Sequence, residues 1–335
     1  MQKTFDLKLK RIHEDASCRD FILADAKDGD MGFGVAAPGQ SPGTPSSEGR
    51  FRSLHEYRQS MRDIVKQGLV DIMLMSVSTS EQLTIHERVF EASGVTPAIR
   101  ANDTTDIWLG LSGTYTEQPS LPFRTTTIDH AQCGQWSCTS ETRTQGANLG
   151  LYSITFNHDA ELDRQALEAY RAFRIEAESK NFQHFLEVFA PNAPQRPIED
   201  TARFVNDCIA RSLAGVPSAS RPQFLKMPYF GPQAMEQLVH YDPSLVVGIL
   251  GGSSGTTHDA FRMLWEAKKY GARAALFGRK INHSEHQLTF VKLLRGIADD
   301  ELEPAEAVRI YHDELSQLKI APHRSLDDDL VLTQL

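Results

Sequence analysis

Short apolar runs recur along the chain, each closed by a polar or glycine-bearing turn and most followed by a stretch with helical spacing. The runs at 21–25, 70–75, 96–100, 149–156, 184–189, 223–231, 245–250 and 272–277 predict eight strands. They are continuous rather than alternating, the pattern of parallel strands covered on both faces. Helical spacing predicts helices at 53–67, 80–92, 160–180, 198–214, 232–241 and 257–270; in the last, Phe261, Leu264, Trp265 and Lys268 recur on the helical period. A β-α unit repeated eight times predicts an α/β fold, a single (β/α)8 TIM barrel over 1–335, with an open doubly wound sheet as the alternative. Residues 1–20 are expected to form a cap across the barrel base, and 302–335 a helical extension.

Two connections are long. After the first strand comes Asp28-Gly29-Asp30-Met31-Gly32-Phe33-Gly34 and then a Gly-, Pro- and Ser-rich run from 37 to 49; after the third strand comes the segment 101–148, with Trp108, Tyr115, Phe123 and Trp136. Both leave strand C-termini, so both are expected to overhang the face where barrels of this kind place their chemistry. A length of 335 residues suits one such barrel with insertions. The 35 basic and 44 acidic residues give a net charge of −9, which argues against a nucleic-acid partner. An N-terminal signal-like stretch and a bilayer-length apolar run are both absent, so a soluble, cytoplasmic protein is expected.

Lys226 lies among apolar residues in Gln223-Phe224-Leu225-Lys226-Met227-Pro228-Tyr229-Phe230-Gly231. Withdrawing an ammonium from water favours the free amine, the form that adds to a carbonyl, so the residue is a candidate Schiff-base nucleophile. The next two strands end in Gly251-Gly252-Ser253-Ser254-Gly255 and Gly278-Arg279-Lys280. Backbone N–H groups in such turns, with the guanidinium fork of Arg279, suit a phosphate. Cys18, Cys133, Cys138 and Cys208 are the only cysteines, and His130 stands near two of them. A metal-dependent lyase or hydrolase using His130, Cys133 and Cys138 is therefore one alternative, although the spacing favours structural or incidental cysteines, with a disulfide least expected.

Lys226 with Tyr229 and Gly231, Gly251-Gly252-Ser253 and Gly278-Arg279 together resemble the class I aldolase superfamily of the fructose-bisphosphate, tagatose-bisphosphate and deoxyribose-phosphate type. Phe185-Leu186-Glu187 and Leu23-Ala24-Asp25 resemble the acidic positions of the tagatose-bisphosphate branch. The resemblance implies carbon–carbon bond cleavage or formation in a phosphorylated ketose, with no metal and no cofactor. It gives Lys226 the iminium, Glu187 the proton shuttle and Asp25 a hydroxyl contact or second acid/base role. Gly251, Gly252, Ser253, Gly278 and Arg279 would hold the phosphate. The chain departs from the family in having no additional lysine on strand four or seven; Lys27 or Arg100 could supply that cation, and Tyr152 or Tyr229 could donate a proton. The expected partner is a small-molecule sugar phosphate, without nucleic acid or membrane, in a homo-oligomer. A phosphate-binding barrel that has lost catalysis, with a binding or regulatory role, is the other alternative.

Overall fold

The computed structural model describes residues 2–40, 50–108, 112–252 and 255–333. Eight strands form one parallel sheet: β1 (Ile22–Lys27), β2 (Ile72–Met75), β3 (Thr96–Arg100), β4 (Leu149–Thr155), β5 (Gln183–Phe189), β6 (Leu225–Lys226), β7 (Gly248–Leu250) and β8 (Ala274–Phe277). The spatial order is β6-β5-β4-β3-β2-β1-β8-β7. Closure comes from the remaining edge. Leu225 N–H donates to Val246 O at 2.8 Å, Met227 N–H to Gly248 O at 3.0 Å, and Leu250 N–H to Met227 O at 2.9 Å. The sheet is thus a (β/α)8 barrel and not an open doubly wound sheet.

Both faces of the strands are buried, which explains their unbroken apolar character. One set of alternate residues, including Ile22, Ala24, Ile72, Leu74, Leu151, Phe185, Phe224 and Leu276, fills the barrel interior. The intervening set, including Leu23, Met73, Ile99, Tyr152, Leu186, Ile249 and Phe277, packs outward against the helices. Each large apolar side chain among them contributes about 1.5–3 kcal/mol on removal from water. The helix Thr4–Glu14 closes the base, sending Phe5 and Leu9 into the interior set, with Phe5 edge-on to Phe224 at 5.9 Å between ring centres. Lys3 Nζ fixes that helix by donating to the carbonyls of Phe90, Ser93 and Val95 at 2.7, 2.9 and 3.0 Å.

The helix expected over 80–92 is shorter. The chain is α-helical over Val77–Ser80, continues as a π-turn over Glu81–His86, and reverses at Arg88, whose φ is 56°. Glu87 holds the reversal through two 2.7 Å bonds from Arg62 on the helix Leu54–Gln67. At the chain's other end, the helices Gln287–Ala298 and Pro304–Gln317 pack beside Thr257–Lys269. The Asp329 carboxylate accepts the Thr257 N–H at 2.7 Å, so the C-terminal segment caps that helix. No helix among the described residues is long and apolar enough to cross a membrane.

Two glycines at the top of the barrel are there because backbone or ring atoms crowd them. A Cβ on Gly251 would lie 2.2 Å from the Phe277 ring, and one on Gly278 would lie 2.5 Å from Ala26 O. Close strand packing thus accounts for both, whatever they also bind.

Candidate active site

The interior residues nearest the C-terminal ends of β3 to β6 form a polar layer above the apolar interior. The register pairs Ser153 with Glu187 and Glu187 with Lys226, so the three side chains stand side by side on the inward face. Lys226 Nζ lies 2.5 Å from Glu187 Oε1. Ser153 Oγ donates to Glu187 Oε2 at 2.7 Å and accepts from Arg100 Nη1 at 3.2 Å. Asn102 braces this serine through both backbone groups, accepting its N–H at 2.6 Å and donating to its carbonyl at 2.8 Å. Lys226 is 6% exposed and Glu187 1%, so the pair lies largely out of water.

Asp28, just past the end of β1, completes the layer. Arg100 Nε donates to its Oδ2 at 2.5 Å, and Arg100 Nη2 lies 3.6 Å from Glu187 Oε2. Burial works against the Asp28 charge, but Arg100 and then Lys226 more than offset it and hold the carboxyl below its usual range. Burial likewise opposes the Arg100 charge, and Asp28, Glu187 and Asp103 outweigh it, so the guanidinium stays charged. Asp28 was not singled out from the sequence as a site residue; its signal was an aspartate before Gly29 at a strand end.

Asp25 and Lys27 are not brought to Lys226. β1 runs two residues further than the apolar pattern suggests, and its inward residues are Ile22, Ala24 and Ala26. Asp25 and Lys27 therefore fall on the opposite face, beneath the helices. Lys27 Nζ donates to Asn282 Oδ1 and, at 2.8 Å, to Gln287 Oε1, and stands 3.3 Å from Asp25 Oδ2. Among the described residues, neither Asp25 oxygen has a hydrogen bond of good geometry. Burial raises the Asp25 carboxyl to about 6, with Lys27 opposing.

That shift has a measurable sign. Between about pH 4, where a free aspartate titrates, and about pH 6 the folded chain holds more proton at Asp25 than the unfolded chain does. The stability from this group is full below that window and is lost as pH rises through it. Urea unfolding of wild type and Asp25→Asn across the window should show the difference moving in the variant's favour as pH rises. Movement the other way would mean that Lys27 keeps Asp25 ionised.

The two tyrosines also point elsewhere. Tyr229 packs against the outer core with no hydrogen-bond partner for its hydroxyl among the described residues, and Tyr152 stacks on Phe173 at 4.6 Å on the outward face of β4. Cys133 and Cys138 form a disulfide, the pairing least expected from the sequence, because the turn after the helix Ile128–Cys133 brings their Cα atoms to 5.9 Å. His130 Nδ1 sits 2.8 Å from Thr127 Oγ1. None of the three lines the cavity described next.

Above the polar layer opens a cavity of about 680 Å³, and Lys226, Glu187, Arg100 and Asp28 line it. Its walls take Phe33 from the loop after β1 and Thr105 and Tyr115 from the loop after β3, so both long connections overhang it. The β7 and β8 ends contribute Gly251, Gly252, Gly278 and Arg279. Arg279 is exposed at this mouth, its guanidinium carbon 5.0 Å from the centre of the Phe33 ring. Ser253 lies outside the described residues.

No protein-family profile matches the chain, and no curated protein matches it in sequence. Solved structures do match. An archaeal fructose 1,6-bisphosphate aldolase aligns with a TM-score of 0.59 at 17% identity, over 87% of this chain and 98% of its own. The chain has the fold of a Schiff-base-forming fructose-bisphosphate aldolase. A fructose-bisphosphate aldolase from Slackia heliotrinireducens aligns with a TM-score of 0.61 at 14% identity, over 94% and 92% of the two chains. An archaeal fructose-1,6-bisphosphate aldolase whose catalytic lysine is covalently bound to the carbinolamine intermediate aligns with a TM-score of 0.59 at 17% identity, over 87% and 98%.

Proposed function

We propose that the chain is a class I aldolase that makes or breaks a carbon–carbon bond in a phosphorylated ketose through a Schiff base on Lys226. The observation that carries this reading is the buried contact of 2.5 Å between Lys226 and Glu187 on the floor of a substrate-sized cavity. Glu187 takes a proton from the ammonium, and the free amine adds to the ketone. The carbinolamine hydroxyl then leaves as water, with Glu187 returning the proton. When the adjacent carbon–carbon bond breaks, its electron pair moves toward the cationic iminium nitrogen and leaves an enamine, while the hydroxyl on the departing carbon gives its proton to Glu187 and becomes the aldehyde. Protonation of the enamine and hydrolysis of the iminium restore the lysine. The iminium is the electron sink, so the step calls for no metal.

Asp28, which Arg100 holds toward the cavity, is the second carboxylate in this scheme and takes the place expected for Asp25. Arg100 is the additional cation at the reacting centre. Arg279, with the backbone of Gly251, Gly252 and Gly278, receives the phosphate. A panel of ketose phosphates assayed for aldehyde release tests the reading; no turnover with any member would contradict it. Arg279→Ala should weaken phosphorylated ligands by about 1.5–3 kcal/mol, the worth of a hydrogen bond to a charged group, and unphosphorylated ones much less. Equal losses for the two would remove Arg279 from the phosphate site.

A further inference from the structure

The charges around the cavity are unevenly laid out. Among the described residues, and apart from His283, its charged lining is Asp28, Asp103, Glu187, Arg100, Lys226 and Arg279. On the side of β1, β3, β5 and β6 three carboxylates face two cations. Arg100 is surrounded there: Asp28 lies at 2.5 Å, Glu187 at 3.6 Å and Asp103 at 3.9 Å. It cannot turn to a ligand phosphate without abandoning them. At β8, by contrast, Arg279 has no carboxylate within ion-pair distance among the described residues. The residues outside the described set, 1, 41–49, 109–111, 253–254 and 334–335, include no lysine or arginine and one acidic side chain, Glu48.

Asp103 has spare bonding capacity on the acidic side. It is 2% exposed; its Oδ1 accepts from Thr105 N at 2.9 Å and Thr105 Oγ1 at 2.6 Å, while its buried Oδ2 has no hydrogen-bond partner among the described residues. A carboxylate oxygen in that state accepts a hydroxyl hydrogen well and repels a second anion.

We infer that the substrate is a ketose bearing a single phosphate, seated at Arg279, and that Asp103 accepts a hydroxyl from its uncharged end and excludes a bisphosphate. The ketone in this inference rests on the aldolase reading; the phosphate count rests on the charge layout. Hexitol phosphates lack the carbonyl and cannot form an iminium, so they separate the two. Calorimetric titration of the full chain with hexitol monophosphates, phosphorylated at either end, and with hexitol 1,6-bisphosphate should show the better monophosphate binding about tenfold tighter or more. In Asp103→Asn that preference should shrink to about threefold or less. A bisphosphate that binds wild type as tightly as the better monophosphate, or no binding by any of them, overturns the inference, and a preference unchanged in Asp103→Asn overturns the role of Asp103. The wild-type titrations decide the phosphate count even if the variant does not fold. Borohydride trapping with ketoses, run in parallel, reports on the aldolase reading alone: trapping with a bisphosphate preference sinks only the single-phosphate inference, and a monophosphate preference without trapping sinks only the aldolase reading.

Discussion

Lys226→Arg should yield a folded barrel that forms no borohydride-reducible adduct with a ketose phosphate and turns over slower by a factor on the order of 10⁴–10⁶, the usual cost of deleting a nucleophile. Arginine keeps the positive charge beside Glu187, so the ion pair at 2.5 Å is conserved in kind and the fold is spared an unpaired buried carboxylate. A guanidinium does not condense with a ketone to an iminium. Circular dichroism and thermal unfolding would confirm the fold, and intact mass after borohydride reduction would read the adduct. An adduct retained in this variant would place the nucleophile on another lysine.

Glu187→Gln should lower turnover by a factor on the order of 10²–10⁴ while still allowing a slowly formed adduct. The amide keeps the shape and can still accept from Ser153 Oγ, which now donates at 2.7 Å, but it cannot take the proton that Lys226 must lose. Single-turnover trapping separates the two effects: the rate of adduct formation falls, and the final extent at long times approaches that of wild type. A variant with unchanged turnover would show that Glu187 only neutralises the lysine.

The barrel was legible because its strands are covered on both faces and so appear as uninterrupted apolar runs, each closed by a turn. That same property hid which strand residues face inward. In β5 and β6, Glu187 and Lys226 alternate with apolar neighbours on the inner face and come together as the sequence suggests. In β1 the run Phe21-Ile22-Leu23-Ala24 is apolar at every position, so nothing in it marks Ala24 as inward and Asp25 as outward. The strand then continues to Lys27, and the residue delivered to the cavity is Asp28. Ser153 and Asp103 were illegible for a different reason. A small hydroxyl within a strand and an aspartate in a long connection acquire meaning only once β3, β4 and β5 are in register. The disulfide of Cys133 and Cys138 likewise depends on a turn that spacing alone does not reveal.

The central claim is that Lys226 is the amine that condenses with substrate, and locating the reduced adduct tests it most directly. The full-length chain is mixed with a ketose phosphate, reduced with borohydride, digested and sequenced by mass spectrometry. The predicted result is one substrate-sized mass increment on Lys226, absent when the ketose is omitted. An increment on Lys27 or any other lysine in its place, or no increment with any ketose phosphate, would contradict the account.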